Sequence, residues 1–173
     1  MAGANLRSDI NPGPTLVGAG MRLGVVCGRF NDVVTLRLLE GVERGATAVG
    51  VSIDDVTVEW VPGSFEVPFA AKQMALSGRF DAVICLGAVI RGETSHYEFV
   101  AGECARGIQD VQLETGVPVM FGVLTTENDD QAMARSEGPG GHNVGEECAQ
   151  TAVEMVMLAR RYVGPRSNRS MGF

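Results

Sequence analysis

The chain has 173 residues, 45% of them apolar, which suffices for one domain with a sizeable core. Its net charge of −7 and isoelectric point near 4.8 repel phosphate backbones and argue against a nucleic-acid partner, while a small anionic substrate, which needs only a few local arginines, stays open. The four cysteines (Cys27, Cys85, Cys104, Cys148) form no C-x-x-C pair, and with only two histidines they draw no zinc pattern; they read as reduced core thiols of a cytoplasmic protein.

Residues 1–20 carry Gly, Pro, Asn and Ser without periodicity, and lack the charged start and apolar stretch of a signal peptide. They are expected to form a flexible arm, as is the tail 164–173, leaving 21–163 as the domain. Residues 23–27 (LGVVC) read as a strand buried on both faces. Asn31 and Asp32 are placed to cap the helix that follows, in which Val34, Leu38, Val42, Ala46 and Val49 make one apolar stripe. Residues 56–61 predict a second strand ended by Pro62-Gly63, residues 66–76 a helix, and residues 82–90 a third, continuously apolar strand. Ser95-x-x-Glu98 has the pattern of a capping box opening a helix to about residue 113. A fourth strand is expected over 119–124 and a short helix over 129–135. After a Gly-rich loop comes a last helix over 146–162, with Cys148, Ala152, Met155, Ala159 and Tyr162 as its stripe.

Alternating strands and helices imply right-handed crossovers and a four-stranded parallel sheet covered on both faces. That is a single-domain α/β fold, a three-layer αβα sandwich of the flavodoxin-like kind. No apolar run reaches the roughly 18 residues of a membrane helix, so no membrane partner is expected. Ligands of such sheets bind outside the carboxyl ends of the strands. The informative loops are therefore those holding Gly28-Arg29-Phe30-Asn31, Trp60 through Pro68, Gly87 through Glu98, and Phe121 through Asn128, continuing to Gln131 and Arg135.

Taken singly, these residues have plain readings. Phe30 offers a flat face for a ring, or folds back on the core. Glu66 at a helix start accepts hydrogen bonds from a ligand, or merely favours the helix dipole. Thr94 lies where free N–H groups make an anion site. Arg135 has the donor fork that suits phosphate, or is a solvated residue at a helix end. A lone His such as His96 is more often structural than catalytic.

All four segments, in this order and spacing, resemble the lumazine synthase family over about residues 22–160. The resemblance implies a transferase of riboflavin biosynthesis. It condenses 5-amino-6-(D-ribitylamino)uracil with 3,4-dihydroxy-2-butanone 4-phosphate to 6,7-dimethyl-8-ribityllumazine, losing inorganic phosphate and water, without metal or organic cofactor. By the same resemblance His96 is the proton-transfer residue. Phe30, Ser64, Phe65, Glu66, Ala88, Val89, Ile90 and Phe121 bind the pyrimidine and its ribityl chain, and Glu93, Thr94 and Arg135 bind phosphate. Glu93, being acidic, contributes only its main chain. One position departs from the pattern: Val144 stands where many members carry a basic residue, with His142 nearby as a substitute.

The family forms pentameric rings, some closing into a 60-subunit shell, with pockets between neighbours, and riboflavin synthase is its pathway partner. The loop over 136–144 is slightly long for shell packing, which favours a pentamer or a pair of pentamers over the 60-mer. Phe121 is then expected to face a pocket shared with the adjacent chain. Three other functions fit parts of the pattern: a flavin-binding scaffold needs neither His96 nor Arg135, a riboflavin synthase of the same fold matches the loops less fully, and a flavodoxin-like signalling domain would need an acidic pocket.

Overall fold

The computed structural model describes residues 13–163, so the expected tail and the first part of the expected arm lie outside the described residues. Residues 13–20, also read as arm, form neither helix nor strand but lie on the body. The Gly18 N–H donates to the Val49 carbonyl at 2.7 Å, and Leu16 packs on the core.

Four strands, β1 (Leu23–Gly28), β2 (Val56–Val61), β3 (Ala82–Ile90) and β4 (Val119–Thr126), pair in parallel in the order β2-β1-β3-β4. The central pair is buried as its sequence requires: all six residues of β1 and the first eight of β3 are shielded from solvent. Alternation along these strands sorts their side chains to two cores. Leu23, Val25, Cys27, Ile84, Leu86 and Ala88 meet α1 (Asp32–Ala48) and α5 (Val144–Val163). Val26, Val83, Cys85 and Val89 meet α2 (Val67–Leu76) and α3 (His96–Thr115) on the other side. A short α4 (Asp129–Met133) follows β4. The outcome is the expected flavodoxin-like three-layer sandwich.

Helices α1 and α5 approach closely because glycines line their contact. A Cβ on Gly145 would stand 2.0 Å from the Leu38 carbonyl oxygen, and one on Gly41 2.0 Å from Asn143 Oδ1. Asn143 is buried just before α5. Its Oδ1 accepts from the Gly145 N–H at 2.9 Å, and its Nδ2 donates to the carbonyls of Arg37 and Glu137. Among the described residues no helix is long and apolar enough to cross a membrane.

Three local expectations need correction. Asn31 precedes α1 but makes no capping bond with its side chain; it takes a left-handed conformation (φ 62°) and donates from Nδ2 to the Ala88 carbonyl at 2.8 Å. Ser95 precedes α3 but forms no capping box, because Glu98 turns to Arg91 instead. In both cases a partner from a neighbouring strand end outcompetes the local one. Tyr162, placed on the stripe of α5, is 83% exposed, since the last turn, with Val163 also exposed, runs past the core formed by the described residues.

Candidate active site

The carboxyl ends of β1, β2 and β3 converge, and short hydrogen bonds tie their loops together. The Arg29 and Phe30 N–H groups donate to the carbonyls of Val61 and Pro62 at 2.9 and 3.1 Å, joining the first loop to the second. The Asn31–Ala88 bond joins the first to the third. Gly87 lets the second loop settle on β3, since a Cβ there would lie 2.8 Å from Ser64 Oγ. These contacts leave a cleft of about 680 Å³, in the size range of small-molecule sites, bounded by the second loop, the end of β3 and the first turns of α3.

Nine of the twelve residues singled out from the sequence line this cleft: Phe30, Ser64, Phe65, Glu66, Ala88, Val89, Ile90, Thr94 and His96. Phe30 is 74% exposed, so it is not folded back on the core and leaves an aromatic face open to a ligand. Ser64 is buried against β3, whereas Phe65 and Glu66 stand out towards solvent. Ala88 and Val89 form an apolar floor. The Ala88 carbonyl accepts from Asn31 Nδ2 at this strand end.

On the far wall, His96 occupies the first turn of the 20-residue α3, exposed to the cleft. Its N–H faces Thr94 Oγ1 at 3.4 Å, and the positive end of a long helix beside a threonine hydroxyl suits an anion. Tyr97, Phe99 and Val100 also line the cleft and were missed from the sequence. Phe99 and Val100 had a usable signal, since they stand three and four residues after His96 and so share its helix face.

Glu93, Phe121 and Arg135 do not line the cleft of their own chain. Phe121 is 42% exposed on the edge strand β4 although its neighbours Met120 and Gly122 are buried. Arg135 is exposed beyond α4, with Nη1 donating to the Gln131 carbonyl at 2.9 Å. His142 pairs with Glu147 at 3.2 Å, and Val144 beside it is half-buried. The cysteines are all buried and free; burial pushes the thiols of Cys27, Cys104 and Cys148 up to about 12 and also raises that of Cys85 well above its ordinary value. None of them reaches the cleft lining.

The strand ends of this parallel α/β domain thus gather an aromatic face, a carboxylate, hydroxyls and an imidazole around one cleft, groups able to stack on a flat ring, accept hydrogen bonds and exchange protons. The sequence model of the 6,7-dimethyl-8-ribityllumazine synthase family matches residues 20–160, most of the chain. The chain belongs to that family, a family of transferases of riboflavin biosynthesis.

Proposed function

We propose that the chain is itself a working lumazine synthase, cytoplasmic and active as a homo-oligomer. It condenses 5-amino-6-(D-ribitylamino)uracil with 3,4-dihydroxy-2-butanone 4-phosphate to 6,7-dimethyl-8-ribityllumazine. The observation that carries this reading is the gathering of Phe30, Glu66, Thr94 and His96, from three separate strand ends, around one cleft in a chain of this family.

In this reading the pyrimidine stacks on Phe30 and its ribityl hydroxyls donate to Glu66, while the β3 end and the Ser64-Phe65 main chain meet the ring edge. Phosphate sits at the start of α3 beside Glu93 and Thr94. The pyrimidine amine adds to the ketone carbonyl, and the carbinolamine loses water to give an imine. Proton abstraction then expels phosphate, and ring closure releases a second water. Each step moves a proton, and His96 is the cleft imidazole able to take and return it, a role worth about 10²–10⁴ in rate. Holding two reactants in register contributes further.

Phe121 and Arg135 are both exposed and both lie outside the lining of their own cleft; in this reading they enter through assembly and complete the cleft of an adjacent chain, Arg135 as the phosphate ligand. Purified protein given both substrates should generate the lumazine absorbance. Ligand binding without turnover would make the chain a scaffold, and conversion of lumazine to riboflavin would make it a riboflavin synthase.

A further inference from the structure

We propose that Arg91 is a positioning residue that holds the loop carrying Thr94 and His96 against the cleft, an inference that rests on the reaction assigned above. Between Ile90, the end of β3, and His96, the start of α3, the backbone is neither strand nor helix, and Gly92 leaves it free to bend. A single guanidinium closes this segment into a ring. The Arg91 N–H continues the sheet by donating to the Thr126 carbonyl at 2.9 Å. Its side chain donates from Nη1 to Glu98 Oε1, seven residues on, and from Nε to Glu127 Oε2 at 2.7 Å, just past β4. The guanidinium also stacks over Tyr97, 4.1 Å from the ring centroid, and Tyr97 is itself a cleft wall. The end of β3, the end of β4 and the first turn of α3 are thus joined at one point, with residues 92–97 enclosed.

The Arg91 hydrogen bond holds the Glu98 carboxyl below its ordinary value, so the pair stays ionised at neutral pH. Arg91 and its two partners are all solvent-accessible, and ion pairs of that kind add little to global stability. What they restrict is the placement of the loop, and misplacement of a catalytic group by about 1 Å can cost roughly 100-fold in rate. Arg91 touches no reacting atom in this account; it acts through Thr94 and His96.

The test compares the full chain with Arg91→Met, Arg91→Lys, Glu98→Gln and the double variant Arg91→Met/Glu98→Gln. Kinetics on both substrates, thermal unfolding and amide hydrogen exchange over residues 92–97 are measured. Arg91→Met should lower kcat about 10-fold or more, leave KM for the pyrimidine within about twofold, and keep the midpoint of unfolding nearly unchanged. Exchange across 92–97 should quicken. Arg91→Lys, keeping one charge but not the fork, should recover part of the loss, and the double variant should be no slower than Arg91→Met alone. Wild-type kcat in Arg91→Met, or strictly additive losses in the double variant, would overturn the proposal. If the unmodified chain proves inert, the assigned reaction fails. Exchange alone then decides the positioning claim, faster in Arg91→Met if it holds and unchanged if it does not.

Discussion

At the residue scale the proposed chemistry rests on Phe30 and His96, whose N–H groups face Pro62 O and Thr94 Oγ1 while their side chains stay exposed. Phe30 is anchored through its N–H to Pro62, which leaves its ring for a ligand. Phe30→Ala should weaken a lumazine analogue by roughly 1–2 kcal/mol, from lost burial and stacking. Isothermal titration checks this, and unchanged affinity would remove Phe30 from the site. The cysteines make the opposite point. Their thiols are raised well above the ordinary 9.0, so the thiolate is suppressed in the folded chain. A thiol reagent at neutral pH should label the native protein slowly and the unfolded protein fully. Because the folded values are the raised ones, this contribution to stability is complete below about pH 9 and is lost as pH climbs towards 12. Denaturant midpoints measured across that range should fall.

Strand and helix positions were legible because their periods are long and their burial two-sided: the ranges 56–61 and 82–90 match β2 and β3 residue for residue. Side-chain partners at element ends were less so. Asn31 and Glu98 both sit in sequences with good local caps, yet each bonds to a group brought near by the sheet, the Ala88 carbonyl and Arg91. No local pattern encodes that competition. The contact of α1 with α5 is the element-scale feature most open to test. Asn143→Ala would leave the Arg37 and Glu137 carbonyls and the Gly145 N–H without their present partner inside a tight helix pair. A loss of about 2–3 kcal/mol in chemical denaturation is expected, combining a lost cap with the buried Gly145 N–H left without its acceptor. A loss below about 0.5 kcal/mol would show that water replaces the amide freely.

For the whole molecule, a single chain leaves several large apolar side chains in solvent, among them Phe65, Phe69, Phe99, Leu113 and Phe121. Three of the twelve expected site residues also lie outside its cleft. Both facts have one explanation if chains assemble with the cleft facing β4 of a neighbour, and a sequence read one chain at a time reaches that arrangement only through family resemblance. Light scattering or native mass measurement should find five or ten chains per particle. About sixty chains would refute the argument from the loop over 136–144, and a monomer would refute the shared site.

In the proposed reaction His96 in this cleft drives lumazine formation. The most direct measurement follows lumazine absorbance and phosphate release on one sample, for the unmodified chain and His96→Ala side by side. One phosphate per lumazine is expected from both, with the variant slower by about 100-fold and equally folded. Equal rates in the two proteins would remove His96 from the reaction, and no lumazine from the unmodified chain would overturn the proposed function.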